Sequence, residues 1–219
     1  MSDILVALDV PTLDEATTLA RAVEPHVAGF KIGLELLYGA GPLVLAAIGA
    51  LGKPVLADVK LHDIPNTVEH AARQLAGYGV RWITVHALAG ADALAAAATG
   101  LGRPGVLAVT VLTSHRPEDL AELGLPPTAE TIARLATVAA KSGAEGIVAA
   151  VPDLATVAEA APGLLTVTPG IRQPSDPPGD QARTATPAEA RAAGADYLVI
   201  GRPITRSADP AAAAAALAL

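Results

Sequence analysis

The chain has 219 residues, 52% of them hydrophobic and 17% charged, which supplies a large core and argues against disorder. Its formal charge of −7 and its five dispersed aromatic residues exclude an electrostatic or stacking footprint for nucleic acid, and the absence of cysteine excludes disulfides, thiolate metal sites and a cysteine nucleophile. The start, Met1-Ser2-Asp3, carries no basic region ahead of an apolar stretch, and no apolar run approaches the ~20 residues that span a bilayer, so a cytoplasmic location is expected.

Short apolar runs then alternate with alanine-rich helical stretches. A strand is expected over residues 4–9, followed by a helix over 13–23 that Thr12 caps and whose first turn holds Asp14 and Glu15 at the positive end of the dipole. A strand over 29–33 precedes one long helix over 34–51, and a strand over 55–60 precedes a helix over 67–78. The pairs continue as 82–86 with 91–99, 106–112 with 129–141, and 146–150 with 154–160. The seventh strand, 164–168, leads to a helix over 187–193 with Thr186 before it and Pro187 at its first position. The eighth, 197–201, leads to the tail 210–219.

Eight strand–helix units without a long linker read as a closed (β/α)8 TIM barrel, a single α/β domain over residues 1–219. A doubly wound sheet is the competing architecture, and the even spacing favours closure. Residues 172–186 break the rhythm with a loop rich in Pro, Gly, Asp and Gln. Structureless loops beyond ~12–15 residues are uncommon in compact domains and are often active-site lids, so a phosphate-gripping lid is expected there, with a disordered insertion as the other reading.

The densest chemistry is Asp58-Val59-Lys60-Leu61-His62-Asp63, which follows the apolar run Pro54-Val55-Leu56-Ala57. Residues two apart on a strand face the same side, roughly 6–7 Å apart. Asp58 and Lys60 therefore project together, with Asp63 just beyond on the loop. Such charges are costly to desolvate and unnecessary for folding, which points to chemistry.

Barrel enzymes build their sites where strands end and the following loops begin. Besides Asp58, Lys60 and Asp63, those places hold Asp9, Lys31, Thr113, Ser114, Pro169, Gly170, Arg172, Gly201 and Arg202. The chain has four lysines against eleven arginines, and Lys31 and Lys60 both fall here beside acids, as if chosen for proton chemistry. A purely structural ion-pair network at the barrel mouth is the alternative. Arg172, Gln181, Gly201 and Arg202 form a phosphate cradle after strands seven and eight, the alternative being a surface pair such as Arg202 with Asp209. The histidines lack zinc spacing, and neither a serine elbow nor a dinucleotide fingerprint is present. What remains is a cofactor-free reaction on a small phosphorylated molecule.

These residues resemble the orotidine 5′-phosphate decarboxylase family. The match is carried by Asp58-x-Lys60-x-x-Asp63-Ile64-Pro65-Asn66-Thr67, with Leu5-Val6-Ala7-Leu8-Asp9 and Phe30-Lys31-Ile32-Gly33 ahead of it. Val109-Thr110-Val111-Leu112-Thr113-Ser114, Val167-Thr168-Pro169-Gly170-Ile171-Arg172, Gly179-Asp180-Gln181 and Val199-Ile200-Gly201-Arg202-Pro203 continue it in order, over nearly the whole chain. Asp-x-Lys-x-x-Asp alone is shared with sugar-phosphate relatives; Ile-Pro-Asn-Thr after it makes it specific.

The resemblance implies a homodimeric barrel that decarboxylates orotidine 5′-monophosphate to UMP and CO2, the last step of de novo pyrimidine nucleotide synthesis, with no metal and no cofactor. It implies Lys60 as proton donor to C6 within a Lys31-Asp58-Lys60-Asp63 array, with Asp63, Ile64 and Thr67 supplied by the neighbouring subunit. Asp9 and Lys31 would hold the ribose hydroxyls, Thr113 or Ser114 the pyrimidine, and Arg172, Gln181, Gly201 and Arg202 the phosphate, with Pro169 also binding substrate. The rivals are a magnesium-dependent 3-keto-gulonate-phosphate decarboxylase or hexulose-phosphate synthase, and a non-catalytic phosphometabolite-binding barrel. In the magnesium-dependent relatives the second-strand position resembles a glutamate ligand, where this chain has Lys31.

Overall fold

Strands covered on both faces need near-continuous apolar sequence, and the first strand, Ile-Leu-Val-Ala, is buried at all four positions. Eight such strands run parallel and close into a barrel in the order β1 to β8. They are β1 Ile4–Ala7, β2 Gly29–Ile32, β3 Val55–Leu61, β4 Trp82–His86, β5 Val106–Val109, β6 Gly146–Val148, β7 Leu165–Thr168 and β8 Tyr197–Ile200. The seam is made by β1 against β8, with Leu5 opposite Val199 and Val6 opposite Ile200. The computed structural model describes residues 2–173 and 183–218.

The helices are α1 Leu13–Val23, α2 Leu34–Ala40, α3 Leu43–Gly49, α4 Pro65–Ala76, α5 Ala91–Leu101, α6 Pro117–Glu122, α7 Thr128–Lys141, α8 Leu154–Ala160, α9 Pro187–Ala192, α10 Arg202–Thr205 and α11 Pro210–Leu217. Thr12 caps α1 by accepting from the Glu15 N–H at 3.3 Å, and Thr186 and Glu189 make a reciprocal capping box at α9. The single helix expected over 34–51 is two helices. Gly41 takes φ +77° and Pro42 follows it, so the backbone turns instead of continuing. The short helices α6 and α10 lie in stretches that the sequence pattern leaves as loops.

Period-two alternation divides the side chains into two layers. Ile4, Val6, Phe30, Ile32, Ala57 and Ile83 pack outward into the main hydrophobic cluster, which the helices share. Leu5, Leu56, Trp82, Leu107 and Val167 form a separate cluster inside the barrel. Several strands stop short of the expected ends, so Asp9, Gly33, Leu112, Ala150 and Gly201 lie in the loops above them.

Candidate active site

The same alternation that sends Leu5, Leu56 and Trp82 inward carries Ala7, Asp58 and Thr84 inward two residues later, one layer closer to the strands' C-terminal ends. Above the inner apolar cluster lies a cavity of about 440 Å³ whose wall includes these three together with Asp9, Lys31 and Lys60. Thr113, Pro169, Gly170, Arg172, Gly201 and Arg202 line the same cavity.

Asp58 is the hub of the charged side. Its Oδ1 accepts from the Lys60 ammonium at 2.7 Å and from the Thr84 hydroxyl at 3.0 Å, while Oδ2 lies 3.5 Å from the Lys31 ammonium. Lys31 also donates to Asp9 Oδ1 at 3.0 Å. Room for that contact depends on Gly33, where a Cβ would stand 2.9 Å from Lys31 Nζ and 3.0 Å from Asp9 Oδ1. The side chains of Lys31 and Asp58 are only 11% and 13% exposed. Desolvation is the largest influence on each and opposes ionisation. For Asp58, the charges of Lys31 and Lys60, with hydrogen bonds from Lys60 and Thr84, outweigh it and hold the carboxyl below the usual carboxylate value. For Lys31, Asp58 and Asp9 outweigh it and raise the ammonium above the usual lysine value. Burial therefore leaves a fixed pattern of charge at the cavity wall.

Lys60 has an unusual backbone. Its φ of +48° is the one positive value outside glycine among the described residues. That left-handed conformation costs a non-glycine residue roughly 1–2 kcal/mol. It coincides with an irregularity in the ladder: Ala57 pairs with Ile83 and Leu61 with Val85, so Asp58, Val59 and Lys60 stand opposite Thr84 alone. The Lys60 N–H donates to the Thr84 hydroxyl oxygen at 2.8 Å.

Arg172, Gly201 and Arg202, expected to hold phosphate from the loops after β7 and β8, all line the cavity. Gly201 is the N-cap of α10, the short extra helix that often completes a barrel phosphate site. Asp209, the alternative partner for Arg202, caps α11 by accepting from the Ala212 N–H at 3.0 Å. Gln181 and residues 174–182 of the expected lid lie outside the described residues. Of the two adjacent hydroxyls, Thr113 lines the cavity and Ser114 does not.

Asp63, Ile64 and Thr67 stand apart from the array. Residues 62–67 are exposed in the single chain, Ile64 to 66%, and Asp63 Oδ1 accepts from its own neighbour's N–H, that of Ile64, at 2.7 Å. His62 is exposed too, its ring 5.4 Å from that of His86.

Three contributions escape the sequence reading. Thr84 and Gly33 are ordinary residues for a strand and a turn, although inward parity with Trp82 was a usable signal for Thr84. The third is Arg183, which pairs with Asp153 and donates to the carbonyls of Val111 at 2.9 Å and Leu112 at 3.2 Å, beside Thr113.

Comparison with known proteins finds relatives along nearly the whole chain. The model of the orotidine 5′-phosphate decarboxylase / HUMPS family matches residues 2–217. An orotidine 5′-phosphate decarboxylase from Anaeromyxobacter sp. (strain K) is 52% identical over 98% of this chain and 96% of its own length. One from Thermobifida fusca (strain YX) is 48% identical over 98% and 94%. The crystal structure of orotidine 5′-phosphate decarboxylase from Lactobacillus acidophilus matches with a TM-score of 0.86 at 35% identity, covering 99% of this chain and 97% of that one.

Proposed function

This chain belongs to the orotidine 5′-phosphate decarboxylase / HUMPS family, and we propose that it converts orotidine 5′-monophosphate to UMP and CO2, the last step of de novo pyrimidine nucleotide synthesis, without metal or cofactor. The observation that carries the reading is the Lys60 ammonium held 2.7 Å from Asp58 on the wall of a cavity that Arg172 and Arg202 also line. The bond between C6 and the carboxylate carbon breaks with its electron pair left on C6, where no ring π-orbital is aligned to share it. CO2 departs. C6 then takes a proton from Lys60, whose neutral amine solvent reprotonates. A fixed cation beside C6 stabilises the charge as it develops: two unit charges ~4 Å apart interact by about 4 kcal/mol at an effective dielectric near 20.

In this reading Asp9 and Lys31 hold the ribose hydroxyls, Thr113 and Pro169 meet the pyrimidine, and Arg172, Gly201 and Arg202 grip the phosphate, with Gln181 assigned to the same grip. Phosphate binding far from C6 supplies energy that orients the reacting end. The barrel acts as one catalytic domain over residues 1–219, in the cytoplasm; no helix among the described residues is long and apolar enough to cross a membrane. Two copies pair so that Asp63, Ile64 and Thr67 of one subunit complete the Lys31-Asp58-Lys60 array of the other. The exposure of this apolar and acidic stretch in the single chain supports that pairing.

The magnesium-dependent relatives fit less well, because the Lys31 ammonium already lies between Asp9 and Asp58 and repels a second cation. The test is loss of orotidine 5′-monophosphate absorbance with purified protein in EDTA. Turnover to UMP is expected to continue, and Lys60→Ala is expected to lower kcat at least about 10³-fold while UMP still binds. Turnover that stops with chelation, or a Lys60→Ala protein near wild-type rate, overturns the proposal.

A further inference from the structure

Thr84 is 1% exposed in the middle of β4, and a hydroxyl buried so deeply must have its hydrogen bonds met inside the protein. A threonine hydroxyl has one proton and two lone pairs. The Lys60 N–H, which can only donate, takes a lone pair at 2.8 Å. The single proton therefore goes to Asp58 Oδ1, 3.0 Å away, the oxygen that also receives the Lys60 ammonium at 2.7 Å. The result is a closed ring in which Lys60 is held at both ends: its backbone through Thr84, its side chain through Asp58, and Thr84 joined to Asp58. The ladder irregularity gives this ring its purpose. Three residues of β3 bulge opposite Thr84 alone, the Lys60 N–H turns from the strand pairing to that hydroxyl, and the backbone sits at φ +48°.

We propose that Thr84 is a positioning residue for Lys60: its hydroxyl holds the left-handed backbone of the proton donor and aims the Asp58 carboxylate that steers the ammonium. The inference rests on the decarboxylase reading of the same site. The hydrogen bonds of the Thr84 hydroxyl run to Lys60 and Asp58, so its loss acts on the reacting end of the substrate.

The test compares Thr84→Val, which keeps shape and removes the hydroxyl, with Thr84→Ser, which keeps the hydroxyl. Hydrogen bonds to charged groups are worth enough that Thr84→Val is expected to lower kcat about 10- to 100-fold, with KM for orotidine 5′-monophosphate and UMP affinity changed by less than about threefold. Thr84→Ser is expected to restore kcat to within about threefold of wild type. By NMR hydrogen exchange, the Lys60 amide is expected to lose protection in Thr84→Val and to keep it in Thr84→Ser. Should the valine protein not fold, Thr84→Ala against Thr84→Ser is judged by the same readouts. The proposal is overturned if Thr84→Val keeps kcat within twofold, if serine falls as far as valine, or if the amide stays protected without the hydroxyl. A wild-type protein that does not turn over orotidine 5′-monophosphate overturns the decarboxylase reading instead, and the exchange measurement still decides whether Thr84 holds the Lys60 backbone.

Discussion

Asp58 lies between two ammonium groups and beside a hydroxyl, and those three donors outweigh the burial that opposes its ionisation. Its folded pKa is depressed, so its contribution to stability is present above the unfolded carboxylate value of about 3.9 and is lost as pH falls through the folded value. Lys31 is the mirror case. Its folded pKa is raised, so its contribution is present below the unfolded lysine value of about 10.4 and is lost as pH rises through the folded value. Asp58→Asn is expected to cost about 3 kcal/mol at neutral pH, because it leaves Lys31 buried beside Asp9 alone. Urea unfolding of both proteins from pH 7 down to pH 3 checks this: the gap between them should narrow below about pH 4, and a constant gap would rule out the charge-based account. At this scale the sequence was readable wherever a charge ended an apolar run, which picked out Asp9, Lys31, Asp58 and Lys60. Thr84 and Gly33 were not picked out. A threonine in a strand or a glycine in a turn has a sufficient local reason to be there, and its role in the site arises only from what folding brings beside it.

Among the elements, the eight strands were legible because barrel strands are continuously apolar and the intervening helices are not. Their upper ends were less so. The apolar character of residues such as Val111 and Ala150 continues past the last ladder bond, so the pattern overruns into the loops that carry the site. The bulge at Lys60 leaves no mark in a period-two pattern, and the break between α2 and α3 was marked only by Gly41-Pro42 inside an otherwise helical run. Arg183 shows a further kind of organisation that spacing cannot reveal. It ties the loop after β7 to Asp153 above β6 and to the carbonyls of Val111 and Leu112 above β5. Burial pushes the Asp153 carboxyl up, and Arg183 beside it opposes that without reversing it. Arg183→Leu is expected to destabilise the fold by about 3 kcal/mol, since it removes the cation beside the buried Asp153 carboxyl and the donor to the Val111 carbonyl, while Leu112 keeps the His115 N–H. Asp153→Asn combined with Arg183→Leu should cost less than the sum of the two single changes in urea unfolding; simple additivity would show that the pair is not energetically coupled.

At the scale of the whole molecule, a formal charge of −7 coexists with a cavity in which Lys31, Lys60, Arg172, Arg202 and Arg206 outnumber Asp9, Glu35 and Asp58. A concave basic mouth on an acidic body focuses its field on a small multiply charged anion while disfavouring extended polyanions, which suits a nucleotide monophosphate. The exposed stretch 62–67 gives the barrel an edge beside the same mouth, where a second copy completes the site in the proposed dimer. The central claim concerns one ammonium group at one carbon. The most direct measurement is a crystal structure with UMP, or an analogue carrying a substituent at C6, bound in the cavity. The account predicts Lys60 Nζ within about 3.5 Å of C6 or its substituent, still bonded to Asp58, with Asp63 of the second copy on the far side of the array. A bound nucleotide with C6 turned away from Lys60 would contradict it.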